Sequence, residues 1–281
     1  MNASFFALAL AAALLDVTVG FPDRLEAAVG GPARWLALWL RTVEGAAAGL
    51  EGRLALVLYL APAMVAGAVV DILLPYDATG FVVRAVLAST LCGRQTLDRR
   101  VRAAALAWER DGPGEAMVAI EALGAREDET RLASASAAAL AARFADEVVG
   151  PSVFMLLGGL VGAVFFRGVA VAARHARLDT KIGGAVANLE SWTLAPVSRL
   201  AALWIALASG RRASFAGAMA RASRATEPAE AAMLAALGPA RRDEPDYLRS
   251  GLALYRRAAA LELAALALMT VAAAMFFYRA A

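Results

Sequence analysis

Carboxylates set beside arginines are the residues of this chain whose types and spacing could do chemistry. The densest group is Ala125-Arg126-Glu127-Asp128-Glu129-Thr130-Arg131. There, carboxylate oxygens could hold a magnesium ion while guanidinium groups hold a phosphate. The same residues also suit an exposed helix start, because Asp128 or Thr130 can cap a following helix and acids favour its first turn. A second group, Arg143, Asp146 and Glu147, precedes Pro151 and a long uncharged stretch. It could serve a site or simply mark a membrane boundary. Asp16 and Asp71 lie at or inside the ends of apolar stretches, where an acid is a functional candidate by default. Arg199 lies inside another such stretch, three residues after Pro196. It must find a partner there or reach an interface along its own length. Finally, Arg211, Arg212, Arg221, Arg224, Arg241 and Arg242 form an electropositive segment, suited to an anionic substrate or to acidic lipid heads.

Several classes of chemistry are excluded. One cysteine, Cys92, permits no internal disulfide and no cysteine-based zinc or iron–sulfur site, and one histidine, His175, permits no multi-histidine metal centre. There is no P-loop, Gly-rich dinucleotide turn or metalloprotease helix. The basic residues are not interleaved with stacking aromatics, so no nucleic-acid partner is expected. Residue chemistry by itself names no reaction.

The elements that must position these residues are hydrophobic helices. Of 281 residues 60% are apolar and 19% charged, well away from the roughly 45–50% and 25% of soluble domains. The excess is gathered in blocks that one interior could not hide. A span needs about 20 mainly apolar residues. Five stretches qualify: Ala3–Gly20, Leu54–Leu74, Val148–Phe166, Trp192–Ser209 and Ala258–Tyr278. Ala3–Gly20 has no basic residue ahead of it and is read as a retained helix rather than a leader. In Val148–Phe166, Gly158-Gly159 and Gly162 are expected to allow close helix approach. Between the spans, Arg94–Arg110 places Leu97, Val101, Ala104, Ala105 and Trp108 on one face, an amphipathic helix for a membrane surface or another helix. Helices are also expected at Glu115–Leu123 and Arg131–Phe144, and no strand alternation is found. The expected fold is therefore all-α, one polytopic membrane helical bundle with amphipathic cytoplasmic or interfacial helices. The segments 75–147 and 210–257 hold nine arginines each, more than twice the basic residues of the other two loops. That places them in the cytoplasm of a bacterial-type inner membrane.

The order of features resembles the CobD/CbiB family, the membrane-bound adenosylcobinamide-phosphate synthases of cobalamin biosynthesis. Leu15-Asp16-Val17-Thr18-Val19-Gly20-Phe21-Pro22-Asp23 is similar to the family's "lDxxxGdP". Leu123-Gly124-Ala125-Arg126-Glu127-Asp128-Glu129-Thr130 resembles "vGRDt", and the segment Ser136–Pro151 resembles "AvEslAENxxDGvvaP". Leu156–Ala163 resembles "llGGlpGa", Pro196-Val197-Ser198-Arg199-Leu200 resembles "PaRL", and Leu254–Ala258 resembles "lYrra". The departures fall on polar positions. Ala138 and Ala142 stand where the family has acids, Arg143 where it has Asn, and Ala225-Thr226-Glu227-Pro228-Ala229-Glu230 where it has "SpNaG".

The resemblance implies ATP-dependent amide formation between adenosylcobyric acid and aminopropanol or its phosphate, with magnesium. The positions it carries over are Asp128 and Asp146 as catalytic residues, and Arg126, Arg199 and Asp16 for substrate or phosphate. No side chain is assigned as a dedicated metal ligand. Implied partners are membrane lipids, the corrinoid substrate and other membrane subunits. The lost acids admit an alternative, a degenerate paralogue acting as a membrane scaffold or accessory subunit. A regulator-type relative such as the AmpE-like membrane proteins is a third reading.

Overall fold

The computed structural model describes residues 3–19, 31–46, 49–75, 77–112, 132–176, 180–210, 212–225, 227–238 and 245–280. Apolar positions at helical spacing make these segments helices, and among the described residues there is no strand. In chain order they are α1 (Ala3–Thr18), α2 (Pro32–Ala46), α3 (Gly52–Leu73), α4 (Ala78–Ser89) and α5 (Arg94–Asp111). There follow α6 (Leu132–Phe144), a π-helical turn (Ala145–Val149), α7 (Gly150–His175), α8 (Lys181–Ala208), α9 (Arg212–Ala222), α10 (Pro228–Leu237) and α11 (Pro245–Ala280). Among the described residues four stretches are long and apolar enough to cross a membrane: Gly52–Leu73, Ala133–His175, Lys181–Ala208 and Asp246–Phe276. Ser4–Thr18 is apolar but shorter. The helix expected at Glu115–Leu123 lies outside the described residues. The helix α2 was not anticipated from the sequence.

The chain divides into two compact units. The first comprises Met1–Gly93, Gly150–Leu194 and Ala265–Ala281. Its core joins Leu40 and Val43 of α2, Leu56, Tyr59 and Leu60 of α3, Val169 and Ala172 of α7, and Ile182 and Val186 of α8. Tyr59 donates its hydroxyl to Gly168 O at 3.1 Å. Pro62 lies inside α3, and its ring disturbs the hydrogen bonds of the preceding turn. In that turn the indole of Trp39 donates to Tyr59 O at 3.1 Å. Exposed Leu54, Val57, Leu58, Val65, Val69 and Ile72 run along one side of α3, the apolar surface expected of a helix facing hydrocarbon.

Arg84 of α4 ties the end of α3 in place. It donates to Asp71 O at 2.9 Å, Leu74 O at 2.7 Å and Pro75 O at 3.1 Å, and meets the Asp71 carboxylate at 3.2 Å. A cation over the last carbonyls of a helix satisfies both orphan acceptors and dipole. Asp71, read above as a candidate functional acid, is the counter-charge in this structural cap.

The stretch Val148–Phe166, expected as one span, does not run as one straight rod. Gly158 (φ −145°, ψ 22°) and Gly159 (φ 59°, ψ −143°) leave the helical region. Phe154 and Phe166 would stand about 18 Å apart along an unbroken helix, yet their ring centroids lie 5.0 Å apart. The chain therefore folds back at the glycine pair. A Cβ on Gly159 would be strained by its positive φ and would stand 3.0 Å from the Phe5 ring of α1, and one on Gly162 would overlap Phe154 O. The close helix approach expected at these glycines is found where Gly159 meets Phe5 of α1, and the same residues also let α7 turn upon itself.

The second unit comprises Arg94–Val149 and Ala195–Ala264. Here α5 buries the face expected from its sequence, Leu97, Val101, Ala104, Ala105 and Trp108. Three ion pairs join it antiparallel to α11: Arg94–Glu262, Asp98–Arg256 and Glu109–Arg249. The first is buried on both sides. Tyr255 donates to Arg94 O at 3.0 Å and meets Phe144 of α6 edge-on, at 5.6 Å between ring centroids. This places α6 beside the α5–α11 pair.

Two outcomes follow for chemical unfolding in detergent. Gly159→Ala is expected to lose about 1–3 kcal/mol, the cost of a side chain in a backbone region that glycine alone occupies readily; an unchanged midpoint would contradict the fold-back. Glu262→Leu alone is expected to cost about 3–5 kcal/mol, with most of it recovered when Arg94→Met is added. A double variant no better than the single would show that the pair is not buried as described.

Candidate functional site

The second unit brings three of the divergent segments into one neighbourhood. The first is the π-helical turn Ala145–Val149, which holds Asp146 and Glu147. A π turn carries an extra residue and so re-aims the side chains that follow, and such turns recur at functional sites. Glu147 is buried, and the guanidinium of Arg143 donates to it at 2.9 Å. These residues occupy positions where the resemblance expects Gly and Asn. Their paired departure from the pattern is thus electrically satisfied on one helix face.

The second segment is the start of α10. Pro228 occupies its first turn, where its missing N–H would be an orphan anyway. Glu227, at the cap position, makes no side-chain capping bond. The N–H of Ala229 is instead bonded to Ser198 Oγ of α8, at 3.2 Å. That bond fixes the start of α10 against the third segment, Pro196–Leu200, and hence beside Arg199.

Glu230 lies half-buried in the first turn of α10. Burial, a hydrogen bond with the Glu227 carboxyl and the negative charges of Glu227 and Asp146 push its carboxyl up to about 8. At neutral pH Glu230 therefore keeps a proton that an ordinary carboxylate would release. Closely spaced carboxyls that retain a proton are groups from which a bound cation or substrate amine can displace it.

Of the residues expected at the site, Asp146 and Arg199 lie in this unit, and Arg199 is exposed. Asp16 lies in the first unit, where α1 buries it to 3% exposure. Arg126 and Asp128 lie outside the described residues. Glu227, Glu230 and Ser198 were quoted in the aligned segments but not nominated for the site. The acids replace small or amide residues of the pattern, so matching motif letters passed over them. Among the described residues no group of three or more His, Cys, Asp and Glu side chains is placed to hold a metal ion. Magnesium bound together with nucleotide phosphates needs only one or two protein carboxylates, and the hydrogen-bonded pair Glu227 and Glu230 fits that demand.

These features define an all-α protein with helices long and apolar enough to cross a membrane, and with an acid-lined helix junction in its more polar unit. The chain belongs to the CobD/CbiB family: residues 9–250 match the family described as CobD/Cbib protein. It is similar to the "Cobalamin biosynthesis protein CobD" of Rhodobacter capsulatus, 26% identical over 298 aligned residues that cover 92% of this chain and 95% of that protein. A second protein of that name, from a particular strain of the same species, matches to the same extent. No solved structure matches significantly.

The raised carboxyl fixes a sign for pH dependence. Between about pH 4.5 and 8 the unfolded chain has released the Glu230 proton while the folded chain holds it, so this group's contribution to stability falls as pH rises across that window. Glu230→Gln is expected to unfold at a higher temperature than the native protein at pH 8–9 and to lose that advantage near pH 4.5. An advantage independent of pH would contradict the assignment.

Proposed function

We propose that this protein is a membrane-bound amide-forming enzyme of cobalamin biosynthesis, an adenosylcobinamide-phosphate synthase that joins adenosylcobyric acid to aminopropanol or its phosphate. Family membership and the names of the matching proteins support the pathway. One observation supports activity: α10 packs against α6, and Glu230 at its start feels the charges of both Glu227 and Asp146. Acids absent from α6 at Ala138 and Ala142 are thus answered by acids supplied from α10, which packs against α6.

Roles follow from the residues present. Glu227 and Glu230 would hold magnesium together with the nucleotide, releasing the Glu230 proton as the cation binds. ATP with magnesium supplies the phosphoryl transfer that makes a carboxyl oxygen a leaving group. Arg199, exposed beside the α8–α10 junction, offers a guanidinium to the phosphate charge. Asp146 accepts hydrogen bonds from the incoming amine and orients it. Arg126 and Asp128 would add a further cation and acid, and Asp16 a further polar group for the substrate. The corrinoid and membrane lipids are the partners this reading requires. The segments 75–147 and 210–257 face the cytoplasm of a bacterial-type inner membrane, where ATP is available.

A non-catalytic membrane subunit, joined to other membrane proteins, is the second reading. It draws on the Arg143–Glu147 pair, which closes off two positions of the matched segment. One assay separates the two readings. Detergent-purified protein is supplied with adenosylcobyric acid, aminopropanol phosphate, ATP and magnesium, and amide product is followed by mass spectrometry. Product is expected from the native chain, with at least a tenfold loss in Asp146→Ala and in Glu230→Ala. No product, beside an active family member with all its acids, would establish the subunit reading.

A further inference from the structure

We propose that α2 is an interfacial helix that binds anionic phospholipid headgroups. Its inner edge is committed to the first unit, with Leu40 and Val43 buried in the core against α3 and α7. Its outer surface is not polar, as a solvated helix would make it. Trp35, Leu38 and Trp39 are 61%, 48% and 40% exposed. Trp35 and Trp39 stand four residues apart and so share one strip, whereas Arg34 and Arg41 stand seven apart and share the next, both exposed. An exposed aromatic strip flanked by a basic strip is the pattern of a helix lying in the plane of a membrane surface, rings at headgroup depth and guanidinium groups on phosphates.

The position of α2 fits that depth. The hydrogen bond from Trp39 to Tyr59 O fixes α2 beside the second turn of α3. Tyr59 is seven residues beyond Gly52, the first residue of α3, or about 10 Å along the helix axis. That is the depth to which the apolar face of an interfacial helix sinks, about 5–10 Å. The side of α3 that exposes Leu54, Val57 and Leu58 is the apolar surface the same lipids would cover. Arg53, exposed in the first turn of α3, adds a third cation where the helix dipole alone would disfavour one. The described acids nearby are Glu44, half-buried, and Glu51, exposed. Glu44 follows Arg41 by one turn, and Glu51 lies beyond the end of α2. Positive charge on that strip selects anionic over zwitterionic headgroups, at about 1 kcal/mol for each basic residue near the surface.

The test uses spin-labelled phosphatidylglycerol and phosphatidylcholine with the full chain reconstituted in phosphatidylcholine vesicles. The native protein is expected to hold phosphatidylglycerol at least roughly thirtyfold more strongly, and 0.5 M salt should reduce that preference. Arg34→Gln with Arg41→Gln should lower the ratio by roughly thirtyfold, about 1 kcal/mol for each charge removed, while leaving phosphatidylcholine binding and the unfolding temperature unchanged. Trp35→Ala should weaken both lipids alike. Equal binding of the two lipids by the native protein, or a preference undiminished in the double arginine variant, would overturn the proposal. Because amide formation is not measured, the result stands apart from the enzymatic reading.

Discussion

A charge carried into an apolar helical assembly needs a counter-charge or a set of carbonyls to meet it, because desolvation penalises an isolated ion heavily. That constraint organises both units. In the first, Arg84 serves two needs at once, pairing with Asp71 and satisfying the final carbonyls of α3. In the second, the buried Arg94–Glu262 pair sets the register of α5 against α11, and the more exposed Asp98–Arg256 and Glu109–Arg249 pairs extend it. Exposed pairs of that kind add little stability each. Their contribution is to alignment, and α6 is packed against the helix pair they align.

Backbone geometry imposes the second constraint. At Gly158 and Gly159 the main chain leaves the helix, and its hydrogen-bonding groups must then be met by protein or water. Phe5 of α1 lies against this point, so a helix shorter than a full span has a packing role. Further along, the π-helical turn at Ala145–Val149 re-aims a helix without breaking it. Asp146 owes its position to that extra residue.

Much of the fold was legible in the sequence, because burial and periodicity are local properties. The buried face of α5 fell on the five residues that helical spacing marks, and four of the five apolar blocks lie in described helices long and apolar enough to cross a membrane. The reversal in α7 was not legible. Gly-Gly within an apolar run reads equally well as a packing surface, and the backbone angles and the Phe154–Phe166 approach reveal the reversal. Helix α2 was passed over because its exposed tryptophans and arginines blur the contrast that a search for spans depends on. At the site, motif matching nominated Asp146 and Arg199 but assigned the lost acids no successors. Glu227 and Glu230 lie more than 80 residues from Asp146 in the chain, so only the packing of α10 on α6 could relate them.

The proposed activity requires relocation, in which carboxylates missing from α6 are replaced by carboxylates from the start of α10. The most direct measurement is amide formation by a transplant, with Glu227→Ala and Glu230→Ala combined with Ala138→Glu and Ala142→Glu. Relocation predicts that the two alanine changes alone abolish product and that the added glutamates restore a measurable fraction of it. Product formation indifferent to Glu227 and Glu230 would contradict it.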